Sequence, residues 1–354
     1  MISRRTLLAS LAAVPLRAQH QASASPASTQ PPAGPPTGAQ SGTQQAGKVF
    51  TSEVKVVNVF ATVRDKKGQI EKDLKQDDFT IDEDGRPQTI RYFAKESSLP
   101  LTLGLLVDTS DSVRRLIETE RDASFKFLDQ VLREDKDVAF LLHFDFEVEL
   151  LQDLTSSRKL LQNALGQLSE SNGPQVQRQG LGGGTDLYDS ILLASNELMK
   201  KQTGRKAIIL LTDGADTGSK STMTEAISAA QKADTLCYAI RFADHHPILD
   251  PLCGFCGRGM GRPSGGRRPP NPPTFGDGKK ALERIAKETG GGYFEGGKKE
   301  SLDDIYREIQ DELRNQYSLG YTPGKGEGPG YRAMRVLTKN KNLIVRARGG
   351  YYAL

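Results

Sequence analysis

The feature that most constrains the fold is the regular alternation of apolar and amphipathic segments in the middle of the chain. Four apolar segments have the length of buried strands: Leu101–Val107, Val138–Phe144, Lys206–Thr212 and Leu236–Phe242. Segments with helical periodicity lie between them. Because strands that alternate with helices form parallel sheets, we predict a doubly wound, mostly parallel six-stranded α/β domain over residues 98–314. Within it, the Gly- and Pro-rich residues 244–278 are predicted to form a flexible insertion loop.

Two β-rich regions flank the α/β domain, at residues 48–97 and 315–354. The first contains an Asp84-Gly85 pair between two strand-like runs, and Asp-Gly is typical of tight hairpins. The second contains three further strand-like runs. Neither region has enough strands to bury both faces of a sheet. We therefore predict that the two regions pair into one small antiparallel β-sandwich, with the α/β domain inserted between its halves.

Residues 1–18 have the pattern of a secretory signal peptide. A pair of arginines precedes an apolar run that ends at Leu16 and is too short to span a bilayer, and Ala18 is suited to be the last residue before cleavage. The arginine pair also fits a twin-arginine signal. Residues 19–47 lack Lys, Arg, Asp and Glu and are predicted to form a disordered linker rich in Pro, Gly, Ser and Gln. We expect export to the periplasm, the cell surface or the medium.

The charge balance argues against a nucleic-acid partner. The formal net charge is +4, and it nearly vanishes without the arginines of residues 1–18, whereas nucleic-acid-binding domains usually present a clustered basic face. No stretch beyond the N-terminus approaches the ~20 apolar residues of a transmembrane helix. Common enzyme motifs are also missing, since the sequence has no Gly-x-Ser-x-Gly and the run Gly182–Gly184 lacks the Lys of a P-loop.

Three polar loops of the α/β domain are candidates for a ligand site. Asp108-Thr109-Ser110-Asp111-Ser112 follows the first apolar strand, Asp213-Gly214 follows the third, and Gly182–Thr185 precedes a predicted helix. Doubly wound sheets bind ligands at the carboxyl ends of their strands, where we expect these loops to meet. The loops offer carboxylates and hydroxyls but no His or Cys. This is the ligand chemistry of hard divalent cations such as Mg²⁺, Mn²⁺ or Ca²⁺.

These residues resemble the metal-ion-dependent adhesion site of the von Willebrand factor A family, also called the integrin I-domain family. Asp108, Ser110 and Ser112 match its Asp-x-Ser-x-Ser motif. Thr185 matches the threonine of its second loop, and Asp213 matches the aspartate of its third loop. The resemblance implies that the serines and the threonine contact the metal directly, whereas the two aspartates often act through water. Mg²⁺ is the cation that we expect, with Mn²⁺ or Ca²⁺ as alternatives.

The resemblance to this family covers residues 98–314 and implies a function. Some relatives carry acidic residues of a second metal site where Arg114 and Arg115 stand, so we predict a single cation. That cation would complete its coordination with an Asp or Glu of a protein partner. We therefore expect an exported, cation-dependent protein-binding or adhesion module and not an enzyme. The alternatives are a metal-dependent hydrolase on the same site, for which the sequence shows no general base, and a scaffold whose cation is purely structural.

The whole mature chain also resembles a bacterial group of exported proteins related to this family. The shared patterns are Asp-Phe-x-x-x-Glu-Asp-Gly over Asp78–Gly85, Gln-Tyr-x-Leu-Gly-Tyr over Gln316–Tyr321, and Val345–Arg348 followed by Gly350-Tyr351-Tyr352. This second resemblance implies the architecture of the chain and says little about its function.

Other polar residues have simpler interpretations. Cys237 and His143 lie in apolar strands and are predicted to be buried core residues. Asp111 and Asp186 adjoin the candidate metal loops and are predicted to be solvated rim residues.

Cys253 and Cys256 form a Cys-x-x-Cys pair in the insertion loop, near His245 and His246. A local disulfide suits an oxidising compartment. Free thiols and a zinc or redox site remain open as alternatives.

Overall fold

The computed structural model describes residues 56–95, 99–110, 117–170, 185–242, 275–297, 300–324 and 328–353, which all belong to one compact unit, Lys55–Leu354. The predicted signal peptide, the linker and the Cys253–Cys256 pair lie outside the described residues. The strands are β1 (Val57–Arg64), β2 (Phe79–Glu83), β3 (Arg86–Gln88), β4 (Ile90–Lys95), β5 (Leu101–Asp108), β6 (Val138–Phe144), β7 (Val148–Thr155), β8 (Arg205–Thr212), β9 (Leu236–Phe242), β10 (Tyr293–Gly296), β11 (Tyr317–Tyr321), β12 (Gly330–Thr338), β13 (Ile344–Ala347) and β14 (Gly350–Ala353). The helices are α1 (Ile117–Val131), α2 (Arg158–Glu170), α3 (Leu187–Leu193), α4 (Met223–Lys232), α5 (Phe275–Thr289) and α6 (Leu302–Arg314).

A six-stranded sheet with the strand order β10-β9-β8-β5-β6-β7 forms the centre of the molecule. Its strands are parallel except β7, which pairs antiparallel with β6 at one edge. Every residue of β5 and β8 is buried, because α1, α2 and α6 pack on one face and α3, α4 and α5 on the other. The predicted doubly wound, mostly parallel six-stranded sheet is confirmed.

The edge strand β7 is longer than its sequence pattern suggests. The apolar pattern ends at Leu151, but β7 continues to Thr155 and remains paired with β6. Gln152 and Asp153 are polar because an edge strand is open to solvent on one side, so polarity there does not mark the end of the strand.

The predicted helix that follows Thr185 changes its hydrogen bonding along its length. It is α-helical over α3, then continues as a π turn (Ala194–Leu198) and a 3-10 turn (Met199–Lys201). Side chains recur at similar spacings in all three forms, so an amphipathic pattern does not distinguish them.

The flanking segments form two four-stranded sheets, β13-β1-β11-β4 and β14-β12-β2-β3. In the first sheet β1 pairs antiparallel with both β11 and β13, and in the second β12 pairs antiparallel with β2. Both sheets therefore combine strands from before and after the central region. Their apolar side chains form a separate core, so the predicted antiparallel β-sandwich is confirmed.

The Asp-Gly hairpin of the first segment joins β2 to β3. Asp84 has φ 48° and Gly85 has φ 77°, and left-handed backbone at both positions is the geometry of the two-residue type I′ turn. The register pairs Glu83 with Arg86 on either side of the turn, as a hairpin with a two-residue loop requires.

Glu83 lies immediately before this turn and is buried inside the sandwich. Its Oε1 accepts a hydrogen bond from Arg332 Nη1 at 2.8 Å, and its Oε2 accepts from the hydroxyls of Tyr351 at 3.2 Å and of Tyr321. The three sequence patterns shared with the exported bacterial group thus meet at one carboxylate. Each pattern supplies part of a buried polar cluster that must be satisfied as a whole.

The sandwich contacts the last helix of the central region through a second buried acid. Glu312 of α6 is fully buried, and its Oε1 accepts hydrogen bonds from Arg64 of β1 at 2.7 Å and from Arg346 of β13.

Among the described helices, none is both long and apolar enough to cross a membrane.

Candidate metal centre

Asp108 is the last residue of β5 and lies at the carboxyl end of a central strand, with 0% of its surface exposed. Its Oδ1 accepts a hydrogen bond from Ser110 N at 2.9 Å, and its Oδ2 accepts from the Thr212 hydroxyl at 2.6 Å. Burial raises the pKa of Asp108 to about 6; the hydrogen bonds from Ser110 and Thr212 oppose this rise, and the charge of Asp213 adds to it. No Lys or Arg of the described residues forms an ion pair with this carboxylate.

The loop that carries Asp213 follows β8, the neighbour of β5 in the sheet. Thr212 Oγ1, which donates to Asp108, also accepts a hydrogen bond from Gly214 N at 3.0 Å. The Asp213 carboxylate accepts from Ala215 N at 2.8 Å, and its carbonyl accepts from Arg241 Nε at 3.1 Å. These bonds fix the loop at the same edge of the sheet as Asp108.

Gly214 lets this loop approach the start of α5. Its φ is 87°, and a Cβ at this position would lie 2.6 Å from the carbonyl oxygen of Gly278. Both the left-handed backbone and the close backbone contact favour glycine.

Thr185 lies two residues before α3 and is buried, with 6% of its surface exposed. Its N–H donates to the Thr217 hydroxyl at 3.1 Å, and its carbonyl accepts from Thr217 N at 3.1 Å and Gly218 N at 3.2 Å. The second loop is therefore bound to the segment that follows Asp213.

The structure thus brings Asp108, Ser110, Thr185 and Asp213 to the carboxyl edge of the sheet, joined by the hydrogen bonds above. The fifth predicted ligand, Ser112, lies outside the described residues, as do the neighbouring Asp111 and the glycines before Thr185. The donor set offers oxygen atoms only, which fits a hard divalent cation. The described part of the chain contains no group of three or more His, Cys, Asp or Glu side chains suited to a metal, so this site would depend on hydroxyl oxygens beside its two aspartates.

His143 takes part in the site in a way that the sequence does not reveal. It is buried, as predicted, with 6% of its surface exposed. However, its Nδ1 lies 3.1 Å from Thr109 Oγ1, between the candidate ligands Asp108 and Ser110, and its Nε2 lies 3.1 Å from Glu149 Oε2. The only sequence signal is its place at the end of β6, which the parallel register puts beside Val107, one residue before Asp108.

Two further acids lie at the start of α3. Asp186 is half-buried, and burial, followed by the charges of Asp189 and Asp216, raises its pKa. Its side chain makes no capping hydrogen bond. Asp216 Oδ1 accepts from Tyr188 N of α3 at 3.2 Å and from Ser219 Oγ at 2.5 Å. The partial exposure of Asp186 is compatible with its predicted place at the rim of the site.

A sequence profile of the von Willebrand factor type A domain family matches residues 103–215, which run from β5 through the loop that carries Asp213. The central region is a von Willebrand factor type A domain. The family recognised from the loop motifs is thereby confirmed, and the VWA domain is the α/β part of the chain.

Several solved structures are similar to this chain. BatB of Bacteroides thetaiotaomicron, a conserved hypothetical protein, is 18% identical over 61% of this chain and 100% of its own, with a TM-score of 0.42. A von Willebrand factor type A protein of Catenulispora acidiphila is 12% identical over 78% and 72%, with a TM-score of 0.44. Proximal thread matrix protein 1 of the mussel byssus, solved with a zinc-occupied MIDAS motif, is 16% identical over 66% and 50%, with a TM-score of 0.43. No curated protein matches the chain.

Proposed function

We propose that the VWA domain binds one divalent cation and uses it to hold an acidic group of a protein partner. The ligands in this proposal are Asp108, Ser110, Ser112, Thr185 and Asp213. The serines and the threonine would contact the cation directly, and the aspartates would act through water. Mg²⁺ is the expected cation, because hydroxyl, carboxylate and water oxygens are the ligands it prefers.

The buried carboxylate of Asp108 is the observation that carries the proposal. A buried carboxylate is costly unless it is paired with a cationic side chain or coordinates a metal. The donors to Asp108 are N–H and hydroxyl groups, which carry no formal charge. No cationic side chain of the described residues pairs with it, so a metal ion at this edge would supply the missing positive charge.

The neutral hydroxyl ligands explain why such a cation would seek a partner. Ser110, Ser112 and Thr185 supply oxygen atoms without negative charge, so the bound cation keeps its attraction for an anion. A carboxylate of another protein is a suitable anionic ligand, and it would then complete the coordination of the metal. Binding would be lost on removal of the cation or of the partner's acid.

The surroundings of the site support binding and not catalysis. A metal-dependent hydrolase needs a general base within reach of a metal-bound water. His143 is the histidine beside the metal loops, and both of its ring nitrogens are already engaged, by Thr109 and Glu149. A hydrolase screen of the wild-type protein with Mg²⁺ and with EDTA tests this part of the proposal, and EDTA-sensitive turnover of any substrate would contradict it.

We further propose that the protein acts outside the cytoplasm. The support is the signal-peptide pattern of residues 1–18. Mass spectrometry of the N-terminus of the protein recovered from a bacterial envelope fraction tests it. A mature chain that begins just after Ala18 is expected, and an uncleaved chain confined to the cytoplasm would contradict it.

Calorimetric titration with Mg²⁺ and Mn²⁺ tests the metal site directly. We expect Asp108→Asn to weaken cation binding at least tenfold, because coordinating groups and their supports typically account for losses of this size. Asp311→Asn removes an exposed carboxylate of α6 and is the matched control, with unchanged affinity expected. Equal affinity of the wild type and Asp108→Asn would contradict the proposal.

A pull-down of envelope proteins in Mg²⁺ and in EDTA, with the same variants, then tests partner binding.

A further inference from the structure

The turn between β6 and β7 presents an exposed aromatic side chain. This turn, Asp145-Phe146-Glu147, is called the β6–β7 tip below. Phe146 is 58% exposed, and among the described residues of the VWA domain the other exposed large apolar side chain is Leu160 of α2, at 46%. A single exposed apolar side chain is common on a protein surface, but phenylalanine buries a large apolar area when it enters an interface, so its position relative to the metal loops decides its significance.

The β6–β7 tip and the end of β6 that precedes it contact two of the three metal loops. Thr109 N donates to the carbonyl of Phe144 at 3.0 Å, and its hydroxyl contacts His143 Nδ1 at 3.1 Å. Asp186 N donates to the carbonyl of Asp145 at 2.8 Å. Because Thr109 lies between Asp108 and Ser110, and Asp186 follows Thr185, the tip is fixed beside the candidate cation site.

The same turn is negatively charged. Asp145 is half-buried and Glu147 is exposed, and neither forms an ion pair with a described residue. Asp145 Oδ1 accepts only from the turn itself, from Glu147 N at 3.2 Å. A partner that brought nothing but a carboxylate to the cation would meet this negative charge on one side.

We propose that the β6–β7 tip is the second contact of the adhesive surface and selects partners of mixed chemistry. The partner segment carries an apolar side chain that packs on Phe146 and a Lys or Arg that faces Asp145 and Glu147, close to the Asp or Glu that binds the cation. This inference rests on the proposed function, because the partner's acid must reach the metal. Aromatic anchors supply much of the energy of interfaces, and complementary charges add selectivity.

The test uses a display library of random peptides with a fixed central Asp, selected on the full-length protein in Mn²⁺ and eluted with EDTA. We expect the selected peptides to be enriched in an apolar residue and in Lys or Arg near the fixed Asp. Phe146→Ser should weaken their binding by about tenfold, and Glu147→Gln by a smaller factor. Leu160→Ser and Asp311→Asn are the matched controls, because each removes an exposed apolar or acidic side chain away from the tip, and they should bind as the wild type does.

The outcomes separate the two proposals. If selected peptides lose binding in EDTA and with Asp108→Asn but bind Phe146→Ser and Glu147→Gln as tightly as the wild type, the tip has no such role, whereas the metal-dependent function stands. If the peptides bind equally well in EDTA or to Asp108→Asn, the metal-dependent function fails, and this inference fails with it. An unchanged melting temperature for Phe146→Ser shows that any loss of binding is not a loss of fold.

Discussion

Asp137 and Asp108 are both buried aspartates of the central sheet, but they lie at its opposite ends. Asp137 precedes β6 at the amino end, and its oxygens accept from Arg133 Nε and Nη2 at 2.9 Å each, from Arg133 N at 3.0 Å and from Leu101 N at 2.8 Å. Burial alone would raise the pKa of Asp137, but these hydrogen bonds outweigh it and lower the pKa. Asp108 has no such partner, and burial raises its pKa to about 6.

The difference shows which end of the sheet is complete without a ligand. At the amino end a forked guanidinium and two backbone N–H groups satisfy the carboxylate, as a structural ion pair should be satisfied. At the carboxyl end the donors to Asp108 are uncharged, so its negative charge remains for an external cation. The comparison therefore supports the metal site through its contrast with a carboxylate that has a purely structural role.

The largest effect should come from Asp137→Asn, which we expect to lower the free energy of unfolding by about 3 kcal/mol. Four N–H groups point at the carboxylate, and an N–H cannot accept a hydrogen bond, so the amide NH₂ must face a donor. The estimate allows for Arg133, whose side chain is 34% exposed and keeps part of its hydration. Urea denaturation in EDTA measures the loss. A change below about 0.5 kcal/mol would mean that the two ends do not differ as described.

Addition of the cation should have the next largest effect. At a Mg²⁺ concentration about 100 times its Kd, binding to the folded state should raise the free energy of unfolding by about 2.7 kcal/mol. Wild type and Asp137→Asn should gain equally, because Asp137 is not a ligand. Asp108→Asn, with at least tenfold weaker cation binding, should gain about 1.4 kcal/mol or less. Thermal melts with and without Mg²⁺ provide the measurement, and an equal gain for Asp108→Asn would place the cation elsewhere.

A smaller effect of opposite sign is expected for Asp108→Asn in the absence of metal. We expect this variant to raise the free energy of unfolding by about 1 kcal/mol in EDTA at slightly alkaline pH, because it removes an unpaired buried charge. The amide oxygen can still accept from Ser110 N, and the Thr212 hydroxyl can turn to accept from the amide NH₂. Urea denaturation of Asp108→Asn and Asp137→Asn under the same conditions checks the contrast between the two aspartates. A loss of stability in both variants would show that the two aspartates do not differ in this way.

Much of the fold follows from the sequence, because burial on both faces makes β5 and β8 continuously apolar. β1 pairs with β11, and the two strands lie so far apart in the chain that no local pattern specifies their pairing. We could predict it only because neither flanking region has enough strands to form a sandwich by itself. The π turn after α3 and the polar end of β7 were not predicted. The π turn keeps a side-chain spacing similar to that of an α-helix, and the end of β7 lacks an apolar pattern because one side of an edge strand is open to solvent.

The candidate metal centre was predicted in part. The three loops follow from strand order and the rule that ligands bind at carboxyl ends, which places Asp108, Thr185 and Asp213 at one edge. The link from Glu149 through His143 to Thr109 was not predicted. It depends on the register of β6 against its two neighbours, and a single histidine in an apolar strand gives no sign of which loop it faces.

The smallest expected effect is the acid dependence of the ion pair at the amino end. The folded-state pKa of Asp137 is lowered from an ordinary value of 3.8, so its contribution to stability is fully present above that value and is lost as the pH falls through the folded-state pKa. In the absence of metal, the free energy of unfolding of the wild type should therefore fall more steeply below about pH 4 than that of Asp137→Asn, since the variant has no proton to take up there. Urea denaturation at a series of acidic pH values compares the two slopes. Parallel slopes would show that the Arg133 guanidinium does not hold this carboxylate in its ionised form, and the contrast with Asp108 would then be one of burial alone.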